Sequence, residues 1–370
     1  IQYPTLRPIV RTKIFGDPEL MRFQTVCDRS LLLFTLIKVL LIVAFFSGAM
    51  FAMPENANAQ SEASCKGNNL LQTLQAEDKQ AYERIIAEAG EIRNSDSIFW
   101  KVEKEGQKPS WLSGTMHMAD PDIATLRDDV KKAVEASDTL VIESVEALDP
   151  VAAQKAMGSL AHLTLLTEGT LRDLVEDDLE DELETAVTAR GLPIQLADRM
   201  QPWLIATTIA LPICEIQRKQ SGEKVLDAVL ADYAKTSGKE IAGLESIAEQ
   251  LTALASIPQS YHVSALEETL SSGDLAVDMI ETLKQSYLAG NMGVVFPLMK
   301  EVMPQSGKGE GALQLQEELI DKRNVTMAER SEPILKSGSA FIAVGALHLP
   351  GETGLVKLLR DKGYSVTAIK

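Results

Sequence analysis

Apolar positions along this chain recur in two periods. Short runs rich in β-branched or aromatic residues, at Ile98–Val102, Thr139–Ile142, Glu240–Leu244, Phe341–Val344 and Tyr364–Ile369, together with Ser110–Ser113, predict strands. The turn Lys104–Pro109 joins the first and the Ser110 strand as a hairpin. Between the strands the spacing is helical: Asn68–Ala89, with Leu70, Leu71, Leu74, Tyr82, Ile85 and Ile86, reads as one or two packed helices, and Asp120-Pro121 opens a helix through Ala136. From Pro150 to Ala234 the pattern predicts helices alone, among them Thr170–Ala189, one from Pro202-Trp203 to Cys214, and Leu226–Lys235, stopped by Gly238. Ala248–Leu288 reads as helical with breaks at Pro258 and Gly273. Gly290–Gly311 reads as a mobile loop around a short helix Val294–Val302, and Leu313–Leu335 as one long helix. Strands alternating with helices predict an α/β fold: a mixed, mostly parallel sheet with an N-terminal hairpin and a large helical insertion, about 150–235, between central strands.

Two strand ends share a frame. Gly114 precedes His117 in G-T-M-H, and Gly345 precedes His348 in G-A-L-H, so two of the four histidines sit three residues past a glycine that ends a strand. Strand ends of open α/β sheets hold reactive groups on wet loops braced by rigid elements. If these strands are neighbours, His117 and His348 meet at one rim, where Glu143 and Glu245 also end strands. Two imidazoles and two carboxylates bind a borderline or hard divalent ion such as manganese, cobalt or zinc and leave a place for water. Such a site hydrolyses amides or esters, the carboxylate off the metal taking the proton. Each member also has a plainer reading. Glu245 caps the following helix, Arg323 is an ion-pair partner or an oxyanion donor, and the acid run in Thr170–Ala189 is a solvated face. His162 and His262 read as structural.

No G-x-S-x-G, H-E-x-x-H, C-x-x-C or phosphate-binding glycine loop occurs, which argues against serine hydrolases, zincins, thioredoxins and nucleotide binders.

Compartment changes the picture at the N-terminus. Arg22, Arg29 and Lys38 accompany an apolar run from Leu31 to Met53, and Ala57-Asn58-Ala59 supplies a cleavage site. The expectation over 1–59 is a cleaved signal peptide, with a retained membrane anchor as the alternative and Ile1–Leu20 as an over-extended start before Met21. The product would be periplasmic or secreted, touching membrane only through that segment. Beyond it remain Cys65 and Cys214, which in an exported chain suggest one disulfide, two unpaired thiols being the alternative. The net charge of −17 becomes more negative when residues 1–59 leave, since they carry six basic and four acidic side chains. So acidic a surface excludes charge-driven binding of nucleic acid and favours neutral or cationic substrates.

Several segments together resemble the TraB/GumN family: W-L-S-G-T-M-H at Trp111–His117, L-V-I-E-S at Leu140–Ser144, Q-P-W-L at Gln201–Leu204, and G-L-E-S-I-A-E-Q at Gly243–Gln250. R-N-V-T-M-A at Arg323–Ala328 and F-I-A-V-G-A-L-H-L-P-G-E-T-G-L at Phe341–Leu355 continue the match. The family is similar in its paired G-x-x-H turns to the Tiki metalloproteases, and more distantly to erythromycin-esterase-like and haem-binding ChaN-like proteins. The resemblance implies one α/β domain over 60–370 and a divalent-metal hydrolase, with His117 and His348 as ligands and Glu143 beside them. The expectation is therefore an exported metal-dependent peptidase acting on a peptide or protein. Glu143 or Glu245 would be ligand or base, and Arg323 and Asn324 would orient substrate. A metal-free His/Glu esterase and a non-catalytic periplasmic binding protein are the alternatives.

Overall fold

The computed structural model describes residues 66–271, 273–302 and 316–369. The expected signal peptide, its cleavage site and Cys65 lie outside the described residues, as do residues 303–315, which hold the end of the expected loop and the start of the expected helix Leu313–Leu335.

Six strands form one sheet in the order β4-β3-β5-β2-β1-β6. They are β1 Phe99–Glu103, β2 Ser110–Thr115, β3 Thr139–Ile142, β4 Glu240–Gly243, β5 Ala340–Gly345 and β6 Ser365–Ala368. Strands β4, β3, β5 and β2 run parallel, with Thr115 opposite Gly345, Ile142 opposite Ala343 and Ile142 opposite Gly243. β1 lies antiparallel to β2 and to β6, so the predicted hairpin joins the parallel block to an antiparallel edge. The fold is thus the mixed, mostly parallel α/β sheet of the sequence reading. Helices fill the connection from β3 to β4, and among the described residues a second set of helices lies between β4 and β5.

Both faces of the sheet are covered, and the two-residue period of the strands divides their side chains between the layers. Leu140, Ile142, Phe341 and Ala343 point into a core shared with Val130, Val134, Leu226, Leu230 and Tyr287. Val141, Ile342, Val344 and Leu112 point the other way, against Met327, Leu335, Val356 and Leu359. Helices Asp128–Ala136 and Leu226–Thr236 therefore close one face, and Lys322–Ser337 and Leu355–Asp361 the other. Buried on both sides, β5 has no polar alternation, which is why it reads as an unbroken apolar run.

Several long helices of the sequence reading are shorter. The one expected over Thr170–Ala189 starts only at Glu180; before it, Asp173 accepts hydrogen bonds from the backbone and hydroxyl of Thr170, and Arg172 pairs with Asp198. The bond from the Thr170 backbone to the Asp173 side chain is of the local kind that competes with helix for the backbone. The helix expected from Pro202 to Cys214 is two, Pro202–Ala210 and Ile213–Gln220. Leu211, before Pro212, is extended (φ −74, ψ 129), the conformation a following proline imposes. The Asp120–Ala136 helix likewise divides into Pro121–Ala124 and Asp128–Ala136. Breaks at Pro258 and Gly273 fall where the sequence places them.

Candidate active site

The parallel registers carry Met116–Met118, Glu143, Glu245 and Ala346–His348 past the carboxyl ends of four adjacent strands, on one rim of the sheet. Past β3 and β4 the backbones stay paired, with Leu244 N–H donating to the Ile142 carbonyl at 2.9 Å and Glu245 N–H to that of Glu143 at 2.7 Å. Between β2 and β5 the two glycine turns lie close: a Cβ on Gly114 would sit 2.9 Å from Ala346 Cα, so only glycine permits this approach.

His348 lies in the single turn of 3-10 helix Ala346–His348 and is buried. Its Nδ1 is 2.7 Å from Asn324 Oδ1, and Asn324 Nδ2 donates to the Thr353 carbonyl at 2.9 Å. A carbonyl only accepts, so Thr353 fixes which end of the amide faces the ring, and His348 must carry its proton on Nδ1. Burial holds the imidazole down to about 4; the nearby Glu143 charge opposes this and the Arg323 charge reinforces it. In the neutral ring Nε2 is therefore an acceptor, and it lies 3.9 Å from Glu143 Oε1. Two acceptors face each other there.

Glu143 is held on every side. Gly345 N–H donates to Oε1 at 2.6 Å, and Arg323 Nη2 and Gln250 Nε2 donate to Oε2 at 2.7 and 3.1 Å. Arg323 also grips Glu245 through Nε and Nη2, and its Nη1 donates to the Leu319 carbonyl at 3.1 Å. Its guanidinium is spent on the protein. The Glu245 side chain is 3% exposed against 22% for Glu143. Glu245 does not cap the next helix; Ser246 does, in a reciprocal capping box with Glu249. Asn324 is fully buried and reaches His348, while Arg323 pairs with the two carboxylates.

His117 is placed differently. Its side chain is 68% exposed, and Nδ1 lies 3.3 Å from Oδ2 of Asp227, whose other oxygen accepts the Thr115 hydroxyl at 2.9 Å. Burial raises the Asp227 carboxyl, but the hydrogen bond and charge of His117, with the Thr115 hydroxyl, outweigh it and hold Asp227 below its ordinary value.

Asp227 and Gln250 are site-facing residues that the sequence reading did not single out. An acid in the first turn of a helix reads as a partner for the helix dipole, and only the fold turns this one toward His117. His262 is buried with Nε2 on the Leu254 carbonyl, and His162 is exposed. Cys214 is buried in helix Ile213–Gln220. Met292 packs in the core and Met299 against it.

Among the described residues, no three His, Cys, Asp or Glu side chains are gathered in metal-ligand geometry. The donor chemistry nonetheless suits an ion, because His348 offers a neutral Nε2 across from a carboxylate oxygen. Among the described residues, no helix is long and apolar enough to cross a membrane.

Comparison with known proteins gives a consistent picture. Metalloprotease TIKI1 of Danio rerio is 25% identical over 317 residues, 73% of this chain and 63% of that protein. Metalloprotease TIKI2 of Xenopus tropicalis is 25% identical over 324 residues, covering 73% of this chain and 59% of its own length. The chain thus spans about six tenths of these relatives. The uncharacterized protein YbaP of Escherichia coli (strain K12) is 24% identical over 259 residues, 69% of this chain and 89% of YbaP. No solved structure matches. The profile of the TraB/PrgY/gumN family matches residues 98–368, from the first strand of the sheet to its last, and the chain belongs to that family.

Proposed function

We propose that this chain is a divalent-metal-dependent hydrolase of the peptidase kind, exported in its mature form, with its site on the rim between β2, β3 and β5. The observation that carries this reading is the pair of facing acceptors, His348 Nε2 and Glu143 Oε1, 3.9 Å apart beside the turn that bears His117. Two acceptors this close in a partly buried place favour a cation between or near them. The relatives named metalloproteases support the same reaction class.

His348 and His117 would hold the ion through Nε2, each having its Nδ1 occupied by a protein acceptor. A bound divalent ion supplies Lewis acidity toward a carbonyl and lowers the pKa of its water. Glu143, more exposed than Glu245 and beside His348, would take the proton from the attacking water and pass it to the leaving amine. Arg323, Gln250 and the Gly345 amide keep that carboxylate in one orientation. Glu245, locked onto Arg323, holds the guanidinium in place. The substrate is a peptide or protein, neutral or cationic, in keeping with the net charge of −17.

The test is elemental analysis of the purified protein with a peptide-library cleavage screen in added manganese, cobalt or zinc. One ion per chain, lost in His117→Ala and His348→Ala with a fall in cleavage of about a hundredfold or more, is expected. Cleavage unaffected by chelation, or a full complement of ion in both variants, would defeat the proposal.

A further inference from the structure

The two histidines are oriented by different chemistry. His348 takes its proton position from a neutral amide, Asn324, whereas His117 faces a carboxylate on another element. Asp227 lies in the first turn of helix Leu226–Thr236, where the dipole of an 11-residue helix favours a negative charge. The helix start is stitched to the histidine turn: Leu226 N–H donates to the Met118 carbonyl at 3.3 Å, and Thr115 Oγ1 donates to Asp227 Oδ1 at 2.9 Å. On the other side, Tyr287 donates its hydroxyl to the Gly114 carbonyl at 3.0 Å, so the turn is fixed before and after the point where Asp227 meets it. With Oδ1 committed to Thr115, Oδ2 is the oxygen left for His117.

We infer that Asp227 is a positioning residue for His117: it accepts the Nδ1 proton of the imidazole and so presents Nε2, as a lone pair, to the rim of the sheet. A carboxylate can only accept, so it selects the Nδ1–H form of a neutral ring, and it leaves the ring a stronger donor ligand than a free imidazole. Thr115 serves by keeping Asp227 in one rotamer. This deepens the proposed function, because it assigns the residue that makes an exposed histidine a competent ligand, and it rests on that reading only for its consequence. The ring's proton position holds whether or not an ion binds.

Long-range nitrogen–proton correlation spectra of the 15N-labelled full chain without added metal, at about pH 8 where an ordinary imidazole is neutral, read the proton position directly. His117 should show a protonated Nδ1 and a bare Nε2 in the wild type, and chiefly the Nε2–H form in Asp227→Ala. Asp227→Asn keeps the volume of the side chain and guards against misfolding. Its single acceptor oxygen is contested by the Thr115 hydroxyl, so the Nε2–H population should rise there too, and Asp227→Glu should restore part of the Nδ1–H form. Cobalt(II) titrated into the same proteins and followed by its visible absorption should bind 10- to 100-fold more weakly, on the order expected for loss of a ligand's orienting partner, in Asp227→Ala than in wild type. A wild-type His117 protonated on Nε2, or a proton position unchanged by Asp227→Ala and Asp227→Asn, overturns the inference. If the wild type takes up no cobalt, the metal reading fails while the nitrogen spectra still decide the role of Asp227.

Discussion

Asn324 decides more at this site than its chemistry suggests. It has no titratable group and is fully buried, yet its amide fixes the proton of His348 because Thr353 fixes the amide. Asn324→Ala leaves the His348 Nδ1–H and the Thr353 carbonyl without partners, and each orphaned buried group costs about 1–3 kcal/mol. Urea unfolding should show a loss of that order, together with a fall in peptide cleavage; unchanged stability would mean that water replaces the amide. The burial that keeps His348 neutral also sets a pH dependence. Its folded value, about 4, lies below the ordinary 6.5, so between these values the unfolded chain binds a proton that the folded protein refuses. Stability from this group is complete above about 6.5, falls as the pH drops toward 4 and levels off below it, a change on the order of 3 kcal/mol. Unfolding of the metal-free protein at the two ends of this window should reveal the slope, and His348→Asn should remove that component.

At the scale of elements, the site is a set of strand ends joined by one cation. Arg323, from helix Lys322–Ser337, ties the ends of β3 and β4 through Glu143 and Glu245. Replacing it by Met strands the buried Glu245 charge, a class of change that costs about 3–5 kcal/mol. Thermal and denaturant unfolding of Arg323→Met should register this, and adding Glu245→Gln should recover part of it; strictly additive effects would show that the pair is not coupled. The strands that carry these residues were readable in the sequence because burial on both faces writes β3 and β5 as short apolar runs. The glycine that ends β5 and the one that lets β2 approach Ala346 were readable too, as the two G-x-x-H frames. Helix lengths were less so. Thr170–Leu179 has a helical stripe, but Leu171 and Val175 bury themselves outside a helix, because the Thr170 N–H donates to the Asp173 side chain and the Leu171 N–H to the Asp198 carbonyl.

Across the whole molecule, the acid excess sets how the protein responds to its solvent. A net charge of −17 repels itself in the compact state, and added salt screens that repulsion within about a nanometre. Raising sodium chloride from about 0.01 M to about 0.15 M should therefore raise the melting temperature by a few degrees, although it weakens exposed pairs such as Lys108–Asp138. A melting temperature that falls would show that exposed pairs outweigh the global repulsion. The sequence by itself determined the class of the fold, the strands, the two histidine turns and the acidic balance, because each is written in local composition and period. Only the tertiary structure decided that β2 and β5 are neighbours, that Arg323 belongs to two carboxylates and Asn324 to an imidazole, and that Asp227 faces His117. Those pairings join residues far apart in the chain through hydrogen bonds between single atoms, and neither hydrophobic period nor residue type encodes which distant partner a polar side chain will meet.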